Sequence, residues 1–348
     1  MLTLNLSAEP DDTLMARAAW LYYVAGLTQE EAGSRLGLPR SRMVRLLAEA
    51  RERGLVSISI QHDSVRDLQT EHAIAARFAL DFCLATPRLD LGPTDDPALA
   101  AAQGLIARRA VGGAAAMFLK GKLAGGPITV GVSWGRTLGQ VALHLSGARN
   151  PAARFVSLMG SLTRNSASNP FEVVQAFAAR TGGEGHFLPV PFIADTRPDR
   201  DVLISQRIVA EAMALALAAD LYLISVGEMT ETAILRQQDM ISREELRGLR
   251  DLGAVCDTLG VFIDASGRLV PNRVTERALA IPFDLLRGRD VVLLAAGVEK
   301  VAATAALLRT GAIKGLIIDG DAAALLMGAA EPSSLRKDGA SAAASVVS

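Results

Sequence analysis

The sequence predicts an α/β chain in which a small helical domain with a helix-turn-helix precedes a larger domain built on a parallel sheet. Three observations carry this. A compact two-helix motif with a basic second helix lies at residues 27–47. From about residue 98, short apolar runs alternate with Ala-rich helical stretches. The chain has 348 residues, half of them hydrophobic, enough for a small domain and a larger one with its own core.

Residues 1–12 are polar. In 13–25, Leu14, Ala18, Leu21, Tyr22 and Ala25 recur at helical spacing and predict a first helix. Thr28 can cap a second helix, with Glu31 three residues on reaching back to complete a capping box. Ala32 and Leu36, four apart, share its inward face. Gly37 supplies a helix stop, and Pro39 has its φ preset for a new start. In the third helix Met43, Leu46, Leu47 and Ala50 form the buried stripe, and Arg42, Arg45, Glu49 and Glu52 fall opposite. Residues 40–53 carry five Arg and two Glu, whereas the first 62 residues hold seven Arg and seven acids, so positive charge is gathered on one helix. A solvated helical hairpin would look similar. The capping box, the Gly turn and the clustered arginines together favour a helix laid in the major groove of double-stranded DNA. Its expected contacts are Thr28, Arg40, Ser41, Arg42 and Arg45, with Arg40 nearer a phosphate.

After Gly54 the alternation Val56, Ile58, Ile60 predicts a strand of a small wing. The expected domain is 1–62, followed by a charged helical linker region over 63–97 whose apolar positions could also pack against another subunit. The second domain is expected over 98–330 and a Ser/Ala-rich disordered tail over 331–348. Its strand candidates are Ile128–Val132, Phe155–Met159, His186–Val190, Leu221–Val226, Val291–Leu294 and Leu316–Asp319, with helices such as Glu172–Arg180, Gln206–Ala219 and Glu299–Arg309 between them. Continuous apolar strands alternating with helices predict a parallel sheet covered on both faces. Asp264-Ala265-Ser266-Gly267 predicts a hairpin turn between Val261–Ile263 and Leu269-Val270.

Ligands of such sheets bind beyond the carboxyl ends of the strands. Gly131-Val132-Ser133-Trp134-Gly135-Arg136-Thr137-Leu138 runs from a strand into a helix there. Its small residues permit close backbone approach to an anion, Ser133 and Thr137 add hydroxyls, and Arg136 adds charge. Capping of an ordinary strand-to-helix turn explains the same residues. Gly160-Ser161, Gly227-Glu228 and Gly297-Val298-Glu299-Lys300 follow other strands, and Asp257 and Asp319 are further carboxylates taken as strand ends. Each also has a plain reading as a cap or a solvated side chain.

Composition excludes several classes. Net charge is −1, so attraction to nucleic acid must be local, and 4% aromatics do not make a base-stacking platform. Cys83 and Cys256 lie far apart, and His62, His72, His144 and His186 form no metal spacing, so no metal or other cofactor is expected. The most apolar stretch, 208–227, is broken by Glu211 and Asp220, and the N-terminus has no signal-peptide pattern, so a cytoplasmic protein without membrane contact is expected.

The chain resembles the SorC-type (SorC/DeoR-like) sugar-binding transcriptional regulators of bacteria over roughly residues 13–328. The stretches that carry this are Ala19-Trp20-Leu21-Tyr22-Tyr23-Val24-Ala25-Gly26-Leu27-Thr28-Gln29-Glu30-Glu31, Arg51-Glu52-Arg53-Gly54-Leu55-Val56, the Ser133-Trp134-Gly135 loop, Ala295-Ala296-Gly297-Val298-Glu299-Lys300 and Leu316-Ile317-Ile318-Asp319. The resemblance implies a winged helix-turn-helix joined to a Rossmann-like effector-binding domain, assembled as a dimer or tetramer. It implies a sugar, polyol or sugar phosphate held by Ser133, Gly135, Arg136, Thr137, Gly160, Glu228, Asp257 and Lys300. Arg136, where many members carry a small hydroxyl residue, and Val255-Cys256-Asp257 depart from the family pattern. Regulation of a carbohydrate or polyol catabolic operon, without enzyme activity, is the expected function. The alternative is a sugar-phosphate enzyme of isomerase or deaminase type with an accessory DNA-binding domain. Only Asp257, Glu228 and His186 offer themselves as its acid and base, and no motif joins them.

Overall fold

The computed structural model describes residues 11–56, 68–90, 92, 94–161 and 169–328. It divides into two compact units. The first contains α1 (Asp11–Ala19), α2 (Gln29–Leu36) and α3 (Arg40–Glu52). The expected first helix does not run evenly to residue 25: it widens into a π-turn over Trp20–Val24, where Ala25 N donates to Trp20 O at 2.9 Å. Thr28 caps α2, its hydroxyl accepting from Glu31 N at 3.3 Å while Glu31 Oε2 accepts from Thr28 N at 2.8 Å. Gly37 ends the helix at φ 66°, in the left-handed region. Pro39 stands one residue earlier than expected, as the cap of α3 and not as its first residue. Met43, Leu46, Leu47 and Ala50 close over Leu14, Met15, Ala18, Ala32 and Leu36 to form a small apolar core. The wing strand expected around 56–60 and the tail 331–348 lie essentially outside the described residues.

The second unit begins earlier than the sequence pattern suggests. Within the stretch expected as a linker, α4 (Leu68–Phe78) and β1 (Phe82–Ala85) join this unit: Ile74 is buried in its core, and β1 pairs with β10 (Gly315–Ile318). The reason is β1 itself. A four-residue apolar strand can complete a sheet edge whose partner lies more than 230 residues away, which no local pattern announces. A 27-residue helix, α5 (Pro97–Leu123), capped by Asp96, leads to β2 (Thr129–Val132) and α6 (Arg136–His144). There follow β3 (Arg154–Ser161), α7 (Pro170–Thr181), β4 (Glu184–Pro191), α8 (Arg197–Ser205), α9 (Arg207–Leu217) and β5 (Leu221–Ser225). After an excursion come β9 (Val291–Ala295), α13 (Val301–Arg309), β10 and α14 (Gly320–Gly328).

Seven parallel strands form the sheet, in the order β1-β10-β9-β5-β2-β3-β4. The apolar runs are buried throughout: β9 and β10 expose nothing, as expected of strands covered on both faces. The chain winds outward from β2 through β3 to β4, then returns to the other side of β2 at β5. Strand order therefore reverses between β2 and β5, where the loops leaving the two strands diverge and open a crevice.

The excursion holds β6 (Gly227–Glu228), α10 (Ile234–Gln237), α11 (Arg243–Asp251), β7 (Ala254–Thr258), β8 (Val261–Asp264) and α12 (Arg273–Arg277). Strands β6, β7 and β8 form a small antiparallel sheet. The main hairpin turn is at Leu259-Gly260, both at positive φ, and not at Asp264–Gly267. The latter is a genuine turn, held by the Asp264 carboxylate, but it leads only to a single bridge between Ile263 and Leu269. The partner strand β7 reads Ala-Val-Cys-Asp-Thr, and its polar end hides its strand character.

Candidate functional site

A small crevice lies at the reversal of strand order. It is lined by the Ser133–Thr137 loop after β2, by Ser225–Glu228 after β5, by Asp257–Leu259 of the small sheet and by Lys300 after β9. Of the eight residues expected to hold an effector, seven line it: Ser133, Gly135, Arg136, Thr137, Glu228, Asp257 and Lys300.

Gly160 does not. Its N–H donates to Leu279 O at 2.8 Å, and a Cβ there would strike the Pro191 and Val190 carbonyls. The end of β3 bends to pair with residues 279–281 instead of opening on the crevice. Glycine is needed there for close backbone approach.

The crevice floor is a hydroxyl network. Ser225 N donates to Ser133 Oγ (3.2 Å), Ser225 Oγ donates to Trp134 O (2.6 Å), and Thr258 Oγ1 donates to Ser225 O (2.9 Å). Ser133 is thus largely occupied in joining β2 to β5. Gly135 has φ 132°, and a Cβ on it would approach Ser225 Oγ to 3.0 Å. Ser225 and Thr258 escape a reading of the sequence, because isolated hydroxyl residues carry no spacing signal. From Arg136 the chain enters α6, whose first-turn N–H groups have no partner within the helix.

Opposite stands a partly buried charged group. Lys300 Nζ donates to Val226 O at 2.9 Å and lies 3.4 Å from Glu228 Oε2, both side chains being 12% exposed. Asp257 sits beside them within β7, not at a strand end of the main sheet, and its carboxylate lies so close to Gly227 that a Cβ there would collide with it. Burial pushes its pKa up to about 7; the Glu228 charge adds to the rise and Lys300 opposes it. Asp257 therefore offers a neutral or half-neutral carboxyl near neutral pH, able to donate as well as accept. Asp319 is tied elsewhere: it accepts from Gly297 N (2.7 Å) and Ala322 N (3.0 Å), and burial raises its pKa.

Two other expectations resolve differently. His186 lies on the sheet-edge strand β4, 3.5 Å from Glu184, away from the crevice. The Thr28 hydroxyl is committed to the capping box. Arg40, Ser41, Arg42 and Arg45 are all exposed on the first half of α3, and among the described residues none of the three arginines forms an ion pair. By contrast Arg53, at the end of the same helix, is held by Asp12 at 2.6 Å. No group of acids, histidines and cysteines able to hold a metal occurs among the described residues, and no helix there is long and apolar enough to cross a membrane.

Residues 63–328 match the family model described as "Putative sugar-binding domain". The chain is 35% identical over 322 residues to the erythritol catabolism regulatory protein EryD of Brucella abortus (strain 2308), covering 92% of this chain and 98% of that one. It is 30% identical over 317 residues to the transcriptional regulator LsrR of Enterobacter sp. (strain 638), covering 89% and 91%. Among solved structures, the full-length sorbitol operon regulator SorC of Klebsiella pneumoniae superposes with a TM-score of 0.66 at 23% identity, covering 92% of this chain and 99% of that one.

Proposed function

The chain belongs to the sugar-binding-domain family of SorC-type transcriptional regulators, and on that premise we propose that it controls a carbohydrate or polyol catabolic operon. In this reading α3 lies in the major groove of the operator, with Arg42 and Arg45 toward base edges and Arg40 toward a phosphate. A sugar, polyol or sugar phosphate occupies the crevice between the Ser133–Thr137 loop and the Glu228–Lys300 pair. The observation that carries it is the convergence of seven expected residues on one polar crevice where the strand order reverses.

The chemistry suits a binder of hydroxyls. Asp257 near its midpoint, the Glu228–Lys300 pair and the hydroxyl of Thr137 supply donors and acceptors in a confined space. An acid/base enzyme would also use a carboxyl tuned to neutrality and would find Asp257 and Glu228 in the same crevice; of its three candidates only His186 lies outside. The relatives named above are regulators.

The protein works in the cytoplasm, without membrane contact or cofactor, as a dimer or tetramer. Paired half-sites give a single recognition helix the specificity it lacks alone. The test is operator binding by the full chain, with and without a panel of polyols and sugar phosphates. A compound that changes operator affinity in the wild type and not in Thr137→Val supports the reading. An unaltered response in that variant places the effector elsewhere, and turnover of any of these compounds supports the enzyme. Light scattering at micromolar concentration reads the assembly; a monomer with full operator affinity contradicts it.

A further inference from the structure

The crevice has a neighbour. A second, larger cavity of about 630 Å³ shares Arg136 and Glu228 with it, and α5 forms one wall through Ala100, Gly104 and Arg108. Arg108 is half-buried, while Arg109 beside it faces solvent. Its head folds back over Gly104, where an added Cβ would come 2.9 Å from Nη1.

Half-buried guanidiniums are ordinarily paired. Among the described residues, neither Arg108 nor Arg136 makes an ion pair or a side-chain hydrogen bond. Burial and then the Arg136 charge hold the Arg108 pKa below its usual value, and Glu299 and Glu228 only partly offset them. The acids around the cavity are largely engaged. Glu228 pairs with Lys300, Asp319 accepts two backbone N–H groups, and Asp321 accepts from Asp90 N at 2.9 Å. Glu299 curls over Gly297, where a Cβ would strike its carboxylate.

We propose that Arg108 and Arg136 form a two-guanidinium clamp for the phosphate of a phosphorylated sugar or polyol, whose hydroxylated chain runs past Glu228 into the crevice. The inference rests on the crevice being the effector site, and it assigns the ligand's charge and a contact on α5. A phosphomonoester has three acceptor oxygens and about two negative charges, matching the two forked donors, Arg108 of α5 and Arg136 at the start of α6. A carboxylate has too few oxygens to engage both forks and the first-turn N–H groups together. Hydroxyls remain for the Glu228–Lys300 pair and Asp257.

Inorganic phosphate is the first probe, titrated into the full chain at constant ionic strength and followed by calorimetry. Phosphate binds the wild type, and Arg108→Gln and Arg136→Gln each weaken it about tenfold or more, the loss expected for one charge-assisted contact. Arg108→Lys, which keeps the charge, recovers part of it, and circular dichroism checks that each variant is folded. The second probe is a matched pair, sorbitol and sorbitol 6-phosphate: the ester binds more tightly to the wild type, and Arg108→Gln removes that advantage. Absence of phosphate binding, or equal binding by Arg108→Gln and the wild type, overturns the clamp. Tighter binding of the free polyol than of its ester overturns it too. If the clamp fails while free-polyol binding is lost in Thr137→Val, the effector crevice stands without it. If phosphate binding depends on Arg108 but no ligand alters operator affinity, the clamp stands and the regulatory reading falls.

Discussion

Replacing Asp257 by Asn should make the second unit more stable at alkaline pH and change it little at acid pH. The fold holds this carboxyl, 6% exposed, with its pKa raised from the ordinary 3.8 to about 7, chiefly by burial. Below about pH 4 the group is protonated in both folded and unfolded chains and adds no pH-dependent term. Between about 4 and 7 the unfolded chain ionises while the folded one resists, so the folded state binds more protons and stability falls as pH rises. Above about 7 the loss is complete and amounts to about 4 kcal/mol. Asparagine keeps the shape and cannot ionise, so its advantage over the wild type should grow by about 3 kcal/mol between about pH 4.5 and about pH 8. With a urea dependence of about 3 kcal/mol/M, the difference between the two unfolding midpoints should widen by about 1 M.

The chain has two tryptophans, which makes the measurement specific. Trp20 is 57% exposed in the first unit, and Trp134 is 7% exposed at the crevice. In a Trp20→Phe background, urea unfolding followed by Trp134 fluorescence reports the second unit alone. A stability difference between the wild type and the Asp257→Asn variant that stays flat over that pH range would refute the reasoning, because Asp257 would then be ionised in the fold with its burial fully offset by Lys300.

Three further outcomes can be checked. Arg42→Ala and Arg45→Ala should each weaken operator binding by about 1–3 kcal/mol if they read base edges, measured by gel shift at one fixed salt concentration; unchanged affinity in both excludes α3 as the reading helix. Thr28→Ala removes the hydroxyl half of the capping box and should cost the first unit about 1 kcal/mol, seen as a lower urea midpoint of the unit that contains Trp20; an unchanged midpoint means the box contributes nothing net. Gly160→Ala forces a methyl against the Pro191 carbonyl and should destabilise the second unit by about 1–3 kcal/mol while leaving effector affinity near wild type once folded, and a selective loss of effector binding without loss of stability would return Gly160 to the site.

Sequence by itself determined what depends on neighbours along the chain. The capping box of Thr28 and Glu31, the left-handed stop at Gly37 and the buried stripe of α3 are interactions within a few residues, so their spacing announces them. The apolar runs that became β2, β3, β5, β9 and β10 are legible because strands buried on both faces need no alternation. The loop from Ser133 to Thr137 was legible for the same local reason, a strand running into a helix through small residues.

Tertiary structure decided everything that joins distant segments. It brought β1 to β10 at the sheet edge, placed the Asp257 carboxyl against Gly227 beside the pair of Glu228 and Lys300, and turned Gly160 away from the crevice toward Leu279. It also set Arg108, an inconspicuous residue in an Ala-rich helix, on the same cavity as Arg136. Burial and the field of neighbouring charges are properties of the assembled fold. A carboxyl with an ordinary pKa in the unfolded chain becomes a near-neutral hydrogen-bonding group only when β7 carries it out of water.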